Sequence, residues 1–160
     1  MAIRNILHDE HPVLRTPAQE VKKFNSAICR LLDDMAETME EANGVGLAAN
    51  QVGVSKKILI AAGDNGNIYE LINPRCEEKE GEEVGIEGCL SVPGSYGEVP
   101  RATRVVIRAQ DREGNHIRIT AEGLLARILQ HEMDHLEGVL FIDKAVRMVD
   151  PEDMQSEEKS

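Results

Sequence analysis

Residues Arg104–Gly138 read RVVIRAQDREGNHIRITAEGLLARILQHEMDHLEG, and the hydrophobic period changes midway through them. In the first part Val105, Ile107 and Ala109 alternate with Arg104, Arg108 and Gln110, the pattern of a strand with one face inward. Val106 interrupts the polar side, so both faces are predicted to be partly covered. After the turn-rich Asp111-Arg112-Glu113-Gly114-Asn115, Ile117 and Ile119 alternate with His116 and Arg118, which predicts an antiparallel hairpin. The period then lengthens to that of a helix, predicted from near Thr120 to a stop at Gly138. Leu124, Ile128, His131 and His135 recur at i, i+4, i+7 and i+11, so the two histidines continue an apolar stripe and face inward.

Burying two imidazoles one turn apart is costly unless they are paired or ligate a metal. Glu132 is the next residue round the helix, close to the ligand row but outside it. This is the logic of H-E-x-x-H, two histidine ligands with a carboxylate as general base. A catalytic divalent site ordinarily takes a third protein ligand. Cys89 has a suitable donor and lies among turn-forming residues between Gly85 and Pro93. Spacing alone does not bring it to the helix, and a lone intracellular cysteine is commonly an inert buried thiol. That bland reading also describes Cys29 and Cys76.

Working outward, Asn25 is a helix cap, followed by Ile28, Leu31, Leu32, Met35 and Met39 at helical spacing and a stop at Gly44. Lys57–Ala62 and Tyr69–Ile72 are predicted strands around the turn-rich segment 63–67, and Glu77–Glu83 a charged surface loop. Strands in the middle with helices near both ends predict an α+β fold: antiparallel strands packed around a central helix that carries the H-E-x-x-H motif, with an N-terminal amphipathic helix. The domain is expected over residues 1–148, with 149–160 an acidic, frayed tail.

A length of 160 residues suits one domain with its own core. Eighteen Lys+Arg against 29 Asp+Glu leave a net charge of −11, which argues against nucleic-acid or anionic-membrane binding by the chain itself. No apolar run is long enough to span a membrane, and the N-terminus lacks the features of a secretory signal. Three scattered cysteines do not make a disulfide framework, so a cytoplasmic protein is expected.

GVGLAANQ (44–51), EGCLS (87–91) and QHEMDH (130–135), in this order, resemble the three motifs of peptide deformylases. The resemblance extends to HPVLRTPAQEV near the start and to SVPG, VPRA and DREG around the hairpin, spanning His11 to Phe141. It implies a metal-dependent hydrolase that removes the formyl group from the N-terminal methionine of nascent chains and releases formate. Cys89, His131 and His135 match the family's metal ligands, and Glu132 its general base. Gln51 and the Leu90 N–H match the donors that hold the formyl oxygen. Val45, Gly46, Glu87 and Gly88 match positions that bind substrate main chain and shape the methionine pocket. Leu124 and Ile128 match pocket walls, although core packing explains either equally well.

The cofactor implied is one divalent ion per chain, natively Fe2+, with Zn2+, Ni2+ or Co2+ as replacements in preparations. The partners implied are N-formyl-methionyl nascent peptides and transient ribosome contact. The acidic VDPEDMQSEEKS terminus argues against contact through a basic tail. Two other readings need specific support. A zinc endopeptidase would need a further Glu or His ligand downstream of Gly138. A non-catalytic metal-binding module would leave Glu132 and Gln51 without a role.

Overall fold

The computed structural model describes residues 2–8, 10–63, 65–150 and 152. The hairpin forms as its alternation predicts: β6 (Arg104–Gln110) pairs antiparallel with β7 (His116–Glu122). Asp111 shapes the turn, its Oδ1 accepting from the N–H groups of Glu113 and Asn115. Both faces of β6 are covered, with Val105, Val106 and Ile107 all buried. The hairpin is half of a five-stranded sheet in the order β1 (Gly46–Ala48), β2 (Ile58–Ala62), β3 (Ile68–Glu80), β6, β7, antiparallel throughout. A second, three-stranded sheet runs β4 (Glu83–Cys89), β5 (Val92–Arg101), β8 (Arg147–Val149).

One helix covers each face of the larger sheet. α1 (Ser26–Glu41) lays Ile28, Leu31, Leu32, Met35 and Met39 against Ile58, Ile60 and Ile72. Each such side chain taken fully from water contributes roughly 1.5–3 kcal/mol. On the other face, Ala126, Leu129 and Leu136 of α2 (Gly123–Leu136) meet Leu59, Ala61, Leu71, Val105 and Ile107. The odd and even residues of β2 thus enter different cores, which is why its sequence is a continuous apolar run rather than an alternation.

Helix ends follow local chemistry. Asn25 Oδ1 accepts from the Ile28 N–H at 3.2 Å, a cap worth about 1 kcal/mol. At the far end Asn43, at φ 57°, takes the left-handed position expected of Gly44. Asn43 N–H donates to the Glu40 carbonyl and Gly44 N–H to that of Met39, a Schellman closure.

Two boundaries differ from the sequence reading. α2 begins at Gly123, not Thr120, because Thr120, Ala121 and Glu122 pair with Val106, Val105 and Arg104. Gly123, at φ 60°, turns the chain from strand into helix. The charged stretch predicted as a loop is mostly strand: β3 runs to Glu80 and β4 begins at Glu83, leaving 81–82 as the turn. Its glutamates stay in solvent and pair across the sheet, Glu80 with Arg104 and Glu77 with Arg108. Of the acidic stretch 149–160, Val149 ends β8 opposite Tyr96; residues 151 and 153–160 lie outside the described residues. Among the described residues no helix is long and apolar enough to cross a membrane.

Candidate metal and catalytic site

Three segments meet where α2 passes between the two sheets. α2 supplies His131, Glu132 and His135, all buried. The two-residue turn between β4 and β5 brings Cys89 beside them, and the turn Ala49–Val52 brings Gln51. The His131 and His135 Nε2 atoms are 3.3 Å apart, and Cys89 Sγ is 3.2 Å from His135 Nε2. All three donor atoms lie within 4.8 Å of one another. Donors about 2.0–2.1 Å from a tetrahedral ion stand roughly 3.3 Å apart, so this spacing fits a divalent metal.

The support behind His131 is polar and satisfied, whereas His135 Nδ1 is buried without a hydrogen-bond partner. Glu87 Oε1 is 2.8 Å from His131 Nδ1 and accepts the hydrogen bond from its N–H, which turns Nε2 toward the other two donors. Arg101 grips the same carboxylate through Nε and Nη2, each at 2.9 Å, and reaches Asp134 on α2 through Nη1. Arg127 Nη1 adds a bond of 2.7 Å. Burial pushes the Glu87 pKa up, but hydrogen bonds from Arg101 and His131 outweigh it and hold it at about 2. Gln51 is fixed at both ends of its amide: Oε1 accepts from Ala48 N–H at 2.9 Å, and Nε2 donates to Ser91 Oγ at 3.0 Å.

The two histidines sit in opposite electrostatic surroundings. Burial disfavours charge on His131, yet Glu132, Cys89 and Glu87 together raise its pKa to about 10. His135 goes the other way, its pKa driven well down by burial and by His131, Arg101 and Arg15, so its imidazole stays neutral. Burial also raises Glu132 to about 7, with Glu87 and Asp134 pushing the same way and His131 and Arg101 opposing. Glu132 Oε1 is buried without a hydrogen-bond partner and lies 4.0 Å from His135 Nε2. A carboxylate poised near neutrality, with an unused oxygen beside three metal-type donors, is suited to moving a proton.

The donors open on a cleft of about 480 Å³. Its lining includes Val45 and Gly46 on one side, Gly88 and Leu90 on another, and Leu124 and Ile128 from α2. Ile128 is buried, and Leu124 is 59% exposed at the mouth. A Cβ at Gly46 would lie 2.5 Å from Glu132 Oε2, so the bare glycine leaves that carboxylate room to stand where it does. Glu87 lines the cleft too, but its carboxylate is spent on His131, Arg101 and Arg127. Sequence reasoning missed Arg101 and Ser91 as supports. Both lie within the quoted VPRA and EGCLS segments, but a single polar residue in a strand or turn carries no periodic signal.

Residues 3–150 match the family model described as polypeptide deformylase. The chain is 52% identical to a peptide deformylase of Caldicellulosiruptor bescii, over 97% of this chain and 93% of that protein. It is 50% identical to peptide deformylase 1 of Bacillus anthracis, over 97% and 100%. The crystal structure of peptide deformylase from Thermus thermophilus superposes with a TM-score of 0.85 at 46% identity, covering 88% of this chain and 84% of that one. Similarity of this degree runs through both sheets, both long helices and all three motifs, and the chain belongs to the polypeptide deformylase family.

Proposed function

We propose that this metal-dependent hydrolase, which removes the N-formyl group from nascent polypeptides, works through Cys89, His131 and His135 as ligands of one divalent ion, natively Fe2+. In this reading Glu132 is the general base, and Gln51 and the Leu90 N–H hold the formyl oxygen. The observation that carries it is the unpartnered Glu132 Oε1 at the edge of the three-donor cluster. When bound, a divalent ion on these donors polarises oxygen ligands and brings the pKa of water towards neutrality.

Glu132 takes a proton from water, and the water oxygen attacks the formyl carbon. Negative charge grows on the formyl oxygen, which the Leu90 N–H and the Gln51 N–H that otherwise points at Cys89 Sγ, 3.6 Å away, stabilise. Such donors are worth about 3–4 kcal/mol each in comparable sites. Glu132 then returns the proton to the departing nitrogen, the C–N bond breaks, and formate and a free amine leave. β1 and β4 are outer strands of their sheets, so Gly46, Glu87 and Gly88 offer main chain to an extended peptide, and Val45, just before β1, offers its N–H, its carbonyl being taken by the Ala62 N–H. Leu124 and Ile128 wall the apolar space for its first side chain.

Gly46→Ala forces Glu132 or Ile128 to move, because the new Cβ would sit 2.5 Å from one and 2.9 Å from the other. The expected result is kcat lower by roughly tenfold to a hundredfold with metal retained. Near-native kcat would show that the carboxylate's position is not critical.

A thiolate with two imidazoles also suits Zn2+, Co2+ and Ni2+, so the iron assignment rests on the family resemblance. Metal analysis after anaerobic purification, coupled to formate release from formyl-Met peptides, tests it. Iron at one ion per chain, with activity lost in air, is expected. Bound zinc with full activity that survives air contradicts it. We further assign residues 1–148 to the catalytic domain. Cytoplasmic residence and transient ribosome contact belong to the same reading, supported by the substrate class and by three free cysteines.

A further inference from the structure

We propose that Arg127 sets the width of the apolar cleft and thereby the preference for methionine over bulkier first residues; this rests on the reading that the cleft takes the substrate's first side chain. β4 is an outer strand, hydrogen-bonded on one side to β5 only. Its other side faces α2 across the cleft, with Ile86 on β4 and Leu124 and Ile128 on α2. No ladder fixes that separation; side chains do, His131 with Glu87 at the metal end and Arg127 at the other. Arg127 reaches from α2 to the Glu83 carbonyl of β4 at 2.7 Å, the Val99 carbonyl of β5 at 2.9 Å, and Glu87 Oε2 at 2.7 Å.

Its guanidinium lies flat on Gly85, where a Cβ would come within 2.9 Å of Cζ and 3.0 Å of Nε and Nη2. The missing side chain at Gly85 is what lets β4 and α2 approach this closely. With its charge met by Glu87 and its N–H groups turned to two carbonyls, Arg127 serves as a tether and not as a receptor for an anionic substrate group. It flanks Leu124 and Ile128 on the helix, so loosening it releases the wall they face.

The test compares kcat/KM for formyl-Met and formyl-Phe peptides in the metal-loaded enzyme, in Arg127→Met, which keeps a long apolar stem without the fork, and in Gly85→Ala, which keeps the arginine but displaces it. The formyl-Met to formyl-Phe ratio is expected to fall by about tenfold in Arg127→Met, at the lower end of what pocket fit confers, and to move the same way in Gly85→Ala. Arg127→Lys should fall between Arg127→Met and the parent. A parent enzyme that turns over formyl-Met, with variants that lose both substrates equally or keep the parent ratio, overturns the proposal alone. A metal-loaded parent that does not release formate from formyl-Met overturns the site reading and the proposal with it.

Discussion

Replacing Glu132 with glutamine is expected to slow formate release at saturating formyl-Met peptide by at least about a hundredfold while the divalent ion stays bound. Glutamine preserves the volume at a buried position, and Glu132 lies outside the set of three donors that fit a metal. It cannot accept a proton from water, and loss of a positioned general base costs roughly 10²–10⁴ in rate. The pH profile carries the same signature. A base must be deprotonated to act, so kcat/KM should rise with pH through the Glu132 pKa. Burial lifts that pKa from 4.5 to about 7, and a cation on the neighbouring donors pulls it down, so the limb is expected between those values. Glu132→Gln should lack it. Near-native turnover, or an unchanged acid limb, would remove Glu132 from the chemistry.

Alanine at Cys89, His131 or His135 is expected to abolish both metal retention and turnover. Each change leaves two donors where a divalent ion takes three from protein. The loss should exceed the roughly 10–100-fold that removal of an outer supporting partner costs. Glu87, one such partner, gives the comparison: weakened binding, not its loss, since His131 would lose orientation but keep its donor. Cys29 on α1 lies outside the cluster, and its replacement by alanine should leave metal content and kcat unchanged. Metal content by atomic absorption, with kcat on the same batch, checks every one of these variants. Full metal retention in the Cys89, His131 and His135 variants would refute the ligand assignment.

What the sequence disclosed followed from how strongly a residue's surroundings are periodic. The Ile28–Met39 stripe, the Val105–Ile119 alternation and the inward-facing His131 and His135 each repeat a geometric signal, and each lies where the period placed it. The end of β3 repeats nothing: Glu77–Glu80 are charged because they ride on a solvent-facing strand, and charge alone does not distinguish that from a loop. Helix α2 started late because cross-strand pairing claimed Thr120–Glu122 over a helix-compatible local sequence. Cys89 reached the histidines only through a tertiary contact between the β4–β5 turn and α2, which no spacing encodes. Arg101 is the sharpest case, a side chain 3% exposed that joins Glu87 to Asp134. Its role becomes visible once both carboxylates are in place around it.

Formate release measured against metal bound per chain decides whether the three-donor cluster drives the reaction. The protein is first stripped by a chelator and then titrated anaerobically with Fe2+, in parallel with Cys89→Ala. The stripped protein is expected to show no turnover, with a rise proportional to bound metal and a plateau at one ion per chain that Cys89→Ala does not reach. Turnover by the metal-free protein, or full recovery of Cys89→Ala under the same titration, would contradict that role of the cluster.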